Sequence, residues 1–167
     1  MVVEGYLSAW VRHKITSMRI GSVDYPIYDE WKQLANKVHN LMTNVGKDYL
    51  HAQYWTNNVA GGVGINYIAL SESTLTPAVG DTTLGGEITT NGLQRVPAPT
   101  RSHSTGTNTT TISNTFTAAG SFTDVKASAL FNASSSGTMG HIANFSVGSG
   151  TLSSGDQVAV SWAMTAA

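Results

Sequence analysis

A chain of 167 residues has room for one domain with a substantial core plus an arm or small subdomain. Only 11% of it is charged, against about 25% in ordinary soluble domains, and the net charge is −1, so the electrostatic footprint of a nucleic-acid or acidic-membrane binder is not expected. Cysteine is absent, which removes disulfides, thiolate metal sites and cysteine nucleophiles together.

No apolar run approaches the ~20 residues of a membrane span. The N-terminus carries an early acid, Glu4, and no basic run, so no secretory signal is expected. The sequons at Asn108, Asn132 and Asn144 are then read as chance in a chain rich in Ser and Thr.

Eleven of the nineteen charged residues fall in the first 55 positions, and only Asp124, Lys126 and Asp156 come after Arg101. That shift, with the Gly-rich loop at 56–62, divides the chain into an N-terminal arm with short helices, 1–58, and a β-domain, 59–167. Residues 6–15 alternate in part and fit a strand or extended arm. Gly21 and Asp24-Tyr25-Pro26 interrupt the next stretch. Trp31, Leu34, Ala35, Val38, Leu41 and Met42 then recur at spacings of three and four, which predicts a helix over 29–42. A second helix is predicted over 45–55, with Thr43 or Asn44 as its N-cap and Tyr49, Leu50 and Tyr54 on one face.

The second part reads as strands at 65–70, 87–97, 109–116, 124–132, 140–147 and 157–165. Gly-, Ser- and Asn-rich turns separate them, at intervals too short for βαβ crossovers. This is the pattern of an antiparallel β-sandwich, jelly-roll or immunoglobulin-like. The last strand is the clearest, with Val158, Val160, Trp162 and Met164 on one face. Residues 131–138 read as a hairpin loop. Asp81, before Thr82-Thr83, is expected to cap backbone amides in an Asx-type turn.

The chemistry-bearing residues form no constellation. His13, His39, His51, His103 and His141 stand at no familiar zinc spacing, so no metal or cofactor is expected. No Gly-x-Ser-x-Gly elbow is present, and Gly148-Ser149-Gly150 falls between predicted strands. Gly61-Gly62-Val63-Gly64 precedes a strand and lacks the Lys-Ser/Thr of a phosphate loop. Asp24, Asp29, Glu30, Glu72, Asp81 and Glu87 suggest no pair placed for glycoside hydrolysis. No catalytic residue is assigned. The early aromatics Tyr6, Trp10, Tyr25, Tyr28 and Trp31 are the candidate partner contacts, because Trp and Tyr combine large apolar area with a polar tip. A sugar-binding aromatic platform is the alternative use for them. The Thr-rich run 105–111 would be an aggregation hazard as a free edge, so a neighbouring strand or chain is expected to cover it.

Several separated blocks resemble one family. Ile65-Asn66-Tyr67-Ile68-Ala69-Leu70, Thr76-Pro77-Ala78 and Asp81-Thr82-Thr83-Leu84-Gly85-Gly86-Glu87 resemble the opening of a β-domain found in small virion structural proteins of tailed bacteriophages. The segment 40–50, NLMTNVGKDYL, is similar to that family's leading helix. Ala129-Leu130-Phe131-Asn132-Ala133 with Gly137-Thr138-Met139 is similar to its hairpin, and 157–165 to its closing strand. Ser71 and Ser73 depart from glycines usual there, and Ser128 from a common acid; residues before Asn40 have no counterpart. The resemblance implies a virion component and no enzyme. The station expected is a capsid decoration or cement protein on the head surface, a homotrimer bound to the major capsid protein. A tail-tip or fibre module binding a host glycan is the alternative.

Overall fold

The computed structural model describes residues 3–20, 22–46, 64–98, 100–103 and 109–166. Among them, twelve strands run as β1 (Val3–Arg12), β2 (Lys14–Ile20), β3 (Val23–Tyr28), β4 (Lys32–His39), β5 (Leu41–Met42), β6 (Tyr67–Ser71), β7 (Val96–Pro97), β8 (Thr100–His103), β9 (Thr109–Thr117), β10 (Ala127–Phe131), β11 (Met139–Asn144) and β12 (Gln157–Ala166). Two antiparallel sheets of five strands pack face to face as a β-sandwich, in the orders β4-β1-β12-β9-β8 and β5-β11-β10-β6-β7. A third sheet is the β2-β3 hairpin alone.

The alternation of β12 places Val158, Val160 and Trp162 in the core, where they meet Leu7, Ala9 and Val11 of β1 and Ile112 and Phe116 of β9. The facing sheet supplies Ile68, Leu70, Leu130 and Ala143. Its outer face is covered as well. Leu75 and Leu84, from the loop after β6, pack on Ala69, Ala129, Phe131, Met139 and Ile142. Every residue of β10 is therefore buried, as are four of the five residues of β6. That covering loop is tied down by side chains. Ser71 Oγ donates to the Gly85 carbonyl at 2.6 Å, and Asn144 holds both backbone groups of Leu75 at 3.1 and 2.8 Å. Asp81 does cap a backbone amide, but the one upstream, Ala78, at 2.9 Å.

Arg95 pins the hairpin loop between β10 and β11. Its guanidinium pairs with Glu87 at 2.8 and 2.6 Å, donates to the Ala133 and Ser136 carbonyls at 3.1 and 2.7 Å, and lies 3.4 Å from the Phe131 ring centre.

Two expectations need correction. The helix predicted over 29–42 is strand β4 and the short β5. Its spacing of three and four comes from bulges. The β1–β4 ladder shifts register between Leu7 and Ala9 and again between Ala9 and Trp10, and Lys37 takes a φ of 50°. Each extra residue turns a period of two into an apparent helical step. Secondly, the leading segment is no separate unit. β1 lies between β4 and β12 in one sheet, and β5 extends the other, so strands from before residue 58 build both layers. Among the described strands, only β2 and β3 project from the two layers. The described part of the Thr-rich run is covered as expected, because β9 is paired on both sides by neighbouring strands, β12 and β8. Of the second predicted helix, only one turn at 44–46 lies within the described residues. Thr43 Oγ1 caps it by accepting from the Gly46 amide at 3.1 Å. The remainder of that helix, with Tyr49, Leu50 and Tyr54, falls outside the described residues, as does His51.

Candidate functional site: an apolar arm beside a trough

The β2-β3 hairpin leaves the sandwich at the Arg12 end of β1. Its register pairs Thr16 with Ile27, Met18 with Tyr25, and Ile20 with Val23, so these six side chains share one face. Ser17, Arg19, Asp24 and Pro26 share the other. The arm is thus amphipathic, yet the five large apolar side chains of the first face remain 40–57% exposed: Met18, Ile20, Val23, Tyr25 and Ile27. None belongs to either hydrophobic core. A lone two-stranded hairpin is marginal in water, and a contiguous apolar patch of several hundred Å² marks an interaction surface.

The root of the arm is fixed by directed bonds. Asp156 is buried and accepts from the Lys14 amide at 2.7 Å, the Ser153 amide at 2.8 Å and His13 Nδ1 at 2.9 Å. Burial pushes the Asp156 carboxyl up, but the hydrogen bonds from His13, Ser153 and Lys14, with the attraction of His13, outweigh it and hold the group below its ordinary value. Asp29 adds a reciprocal pair, accepting from the His13 amide at 2.6 Å and donating its own amide to the His13 carbonyl at 2.9 Å. Arg12 is sandwiched. Its guanidinium lies 4.0 Å from the Tyr28 ring centre and 4.6 Å from that of Trp31, and it donates twice to Gln157 Oε1 at 3.0 and 2.7 Å.

Next to this root, the outer face of the β4-β1-β12-β9-β8 sheet forms an open trough of about 580 Å³. Ala159, Ser161, Ser113 and Thr115 make a floor of small, uncharged side chains, bounded by Trp10 and Thr100.

The five aromatics singled out from the sequence therefore divide among three places. Tyr25 is on the apolar face of the arm, Tyr28 and Trp31 clasp Arg12 at its root, and Trp10 bounds the trough. Tyr6 lies on the same outer face and meets His39 edge-on at 5.4 Å. Sequence reasoning missed the aliphatic members, Met18, Ile20, Val23 and Ile27. The available signal was the alternation of 16–20 and 23–27, with Gly21 between them in the sequence.

Of the histidines, His141 is buried in the core. It meets Asn40 Nδ2 through Nδ1 at 2.7 Å, and burial lowers its pKa from 6.5 to about 4, so it is neutral. Among the described residues, no three His, Asp or Glu side chains gather in a way that could hold a metal ion.

Comparison of the chain with protein-family models, with curated proteins and with solved structures finds no match.

Proposed function

We propose that this chain is a non-enzymatic assembly protein of a bacteriophage virion, a homotrimeric decoration protein that stabilises the head shell by bridging capsid subunits. One observation carries the assembly part of this reading. The arm presents an ordered apolar face, anchored at its root, that its own chain leaves exposed. The resemblance of the β6 segment, the hairpin and the closing strand to phage virion proteins supports the station on the virion. The mechanism is burial of area. A standard interface of about 1,600 Å² stabilises an assembly without any reaction, and the low charge of the chain avoids desolvating ions at the contact.

The test is copy number and position on purified particles of the encoding virus, by quantitative protein staining and antibody labelling in the electron microscope. Many copies over the head are expected. A few copies confined to the tail overturn the decoration reading.

The placement of Trp10 beside a floor of hydroxyls favours a second reading, a tail module that holds a host glycan in the trough by stacking a sugar on the indole. Reproducible glycan-array binding, lost in Trp10→Ala, would promote it.

A further inference from the structure

We infer that the trough on the outer face of the sheet receives the apolar face of the arm from a second copy of the chain, so that each copy gives one arm and takes one. This names the partner of the arm and rests on the assembly reading above only in treating that face as a docking surface.

Three features point to a second copy. The first is fit. The arm presents large projecting side chains, centred on the Met18–Tyr25 pair, whereas the trough floor is built from Ala and Ser on β12 and Ser and Thr on β9. Large side chains interdigitate with small ones across a packed interface. Neither surface carries a charge. Arg19 and Asp24 lie on the opposite face of the arm, so docking strands no ion.

The second feature is position. Trp10 pairs with Ala159 at the trough, and Arg12, where the arm departs, pairs with Gln157 two residues along the same ladder. Donor and acceptor surfaces adjoin, so copies related by a rotation axis at this end of the sheet satisfy both together, which closes the assembly as a ring such as the trimer proposed above. The arm of a single chain does not cover its own trough, since the five side chains stay 40–57% exposed.

The third is area. Those side chains present on the order of 500 Å². Docked one way on a foreign surface, each chain would bury about 500 Å², short of the ~800 Å² per partner of a stable interface. When every copy both gives and takes an arm, the burial rises to about 1,000 Å² per chain, which passes that threshold.

The chain has no cysteine, so introduced thiols are unique. Purified Tyr25→Cys and Ser161→Cys variants are mixed and treated with a short bis-maleimide, while light scattering gives the mass of the unmodified chain. The expected results are a mass of at least two chains and a cross-linked pair at least tenfold more abundant in the mixture than with either variant alone. Thr16→Cys, at the margin of the arm's apolar face, replaces Tyr25→Cys if loss of the ring dissolves the assembly. A monomer at tens of micromolar overturns the inference, as does an oligomer without the mixed cross-link or a trough that binds glycan in the monomer. A monomer that still coats heads removes this inference and leaves decoration standing. A cross-linked oligomer absent from heads does the reverse.

Discussion

The indole Nε1 of Trp162 in one sheet donates to Ser128 Oγ in the other at 3.3 Å, and Ser128 Oγ donates in turn to the Ala69 carbonyl at 3.0 Å. All three residues are fully buried. This polar thread through an apolar core fixes how the two sheets sit on one another. It also satisfies the indole N–H, whose burial without a partner would be costly. Ser128→Ala removes the acceptor and keeps the packing. It is expected to destabilise the fold by about 1–3 kcal/mol. The check is urea unfolding followed by tryptophan fluorescence, which should show a lower midpoint at unchanged slope.

The second prediction concerns pH. His141 sits opposite Leu130 in the β10–β11 ladder, facing the core, with its ring 6.5 Å from that of Trp162. Burial lowers its pKa from 6.5 to about 4. Between those values the unfolded chain binds a proton that the folded chain refuses, so stability falls as pH drops. The contribution is constant above 6.5, declines through the window and levels off below about 4, a loss of about 3 kcal/mol in all. Denaturation midpoints across this range should show the slope. His141→Gln keeps an acceptor for Asn40 and cannot titrate. It should flatten the slope even if it lowers stability throughout.

How far the sequence carries varies with the element. The strict alternation of β12 shows both its strand and its inward face, because nothing interrupts its period. β6 and β10 are visible as strands, but that both their faces are buried is not, since the cover comes from Leu75 and Leu84 in a loop without periodicity. β4 is misread because two bulges imitate the helical period. At the candidate site, Tyr25 and Trp10 are found through their residue type, whereas Ile20 and Ile27 resemble ordinary core residues. Only the structure shows that the hairpin carrying them leaves the core. Ser128, which stands in the sequence as one small polar residue in an apolar stretch, acquires its reason only from the position of Trp162.

Arg95 is predicted to be irreplaceable by lysine. Its planar group serves Glu87 and two carbonyls of the hairpin loop at once while lying on Phe131, and an ammonium reproduces only part of this. Arg95→Lys leaves acceptors short of donors in a largely buried setting, with a cost of about 2–4 kcal/mol. Thermal unfolding reads the loss. Hydrogen exchange should rise first at the loop between β10 and β11.

Asp156 sets the posture of the arm. Its lowered pKa means that the folded chain holds the carboxylate more strongly than the unfolded one does. That stability is therefore present above the ordinary carboxylate value and lost as pH falls below it, a window under that of His141. Asp156→Asn keeps the shape but gives up one acceptor oxygen and the charge facing His13. Limited proteolysis at neutral pH should then cut the arm near 13–29 several-fold faster, with the sandwich fragments intact. Equal rates in both proteins would show that the root is held by Asp29 and Arg12 instead.

The apolar face of the arm separates stability from assembly. Met18, Ile20 and Tyr25 lie half in solvent and touch neither core, so replacing all three by serine should change the unfolding free energy of the isolated chain by no more than about 1 kcal/mol. A core substitution of comparable size costs about 2–5 kcal/mol each, which makes Leu130→Ala the natural contrast. Binding should respond in the opposite order. The triple variant should lose association with its partner surface and bind less of a hydrophobic dye, while Leu130→Ala, where it folds, should keep both. If the triple variant unfolds as readily as Leu130→Ala, the face supports the chain's own fold and is not a docking surface. Calorimetry and dye titration on the same samples decide between the two.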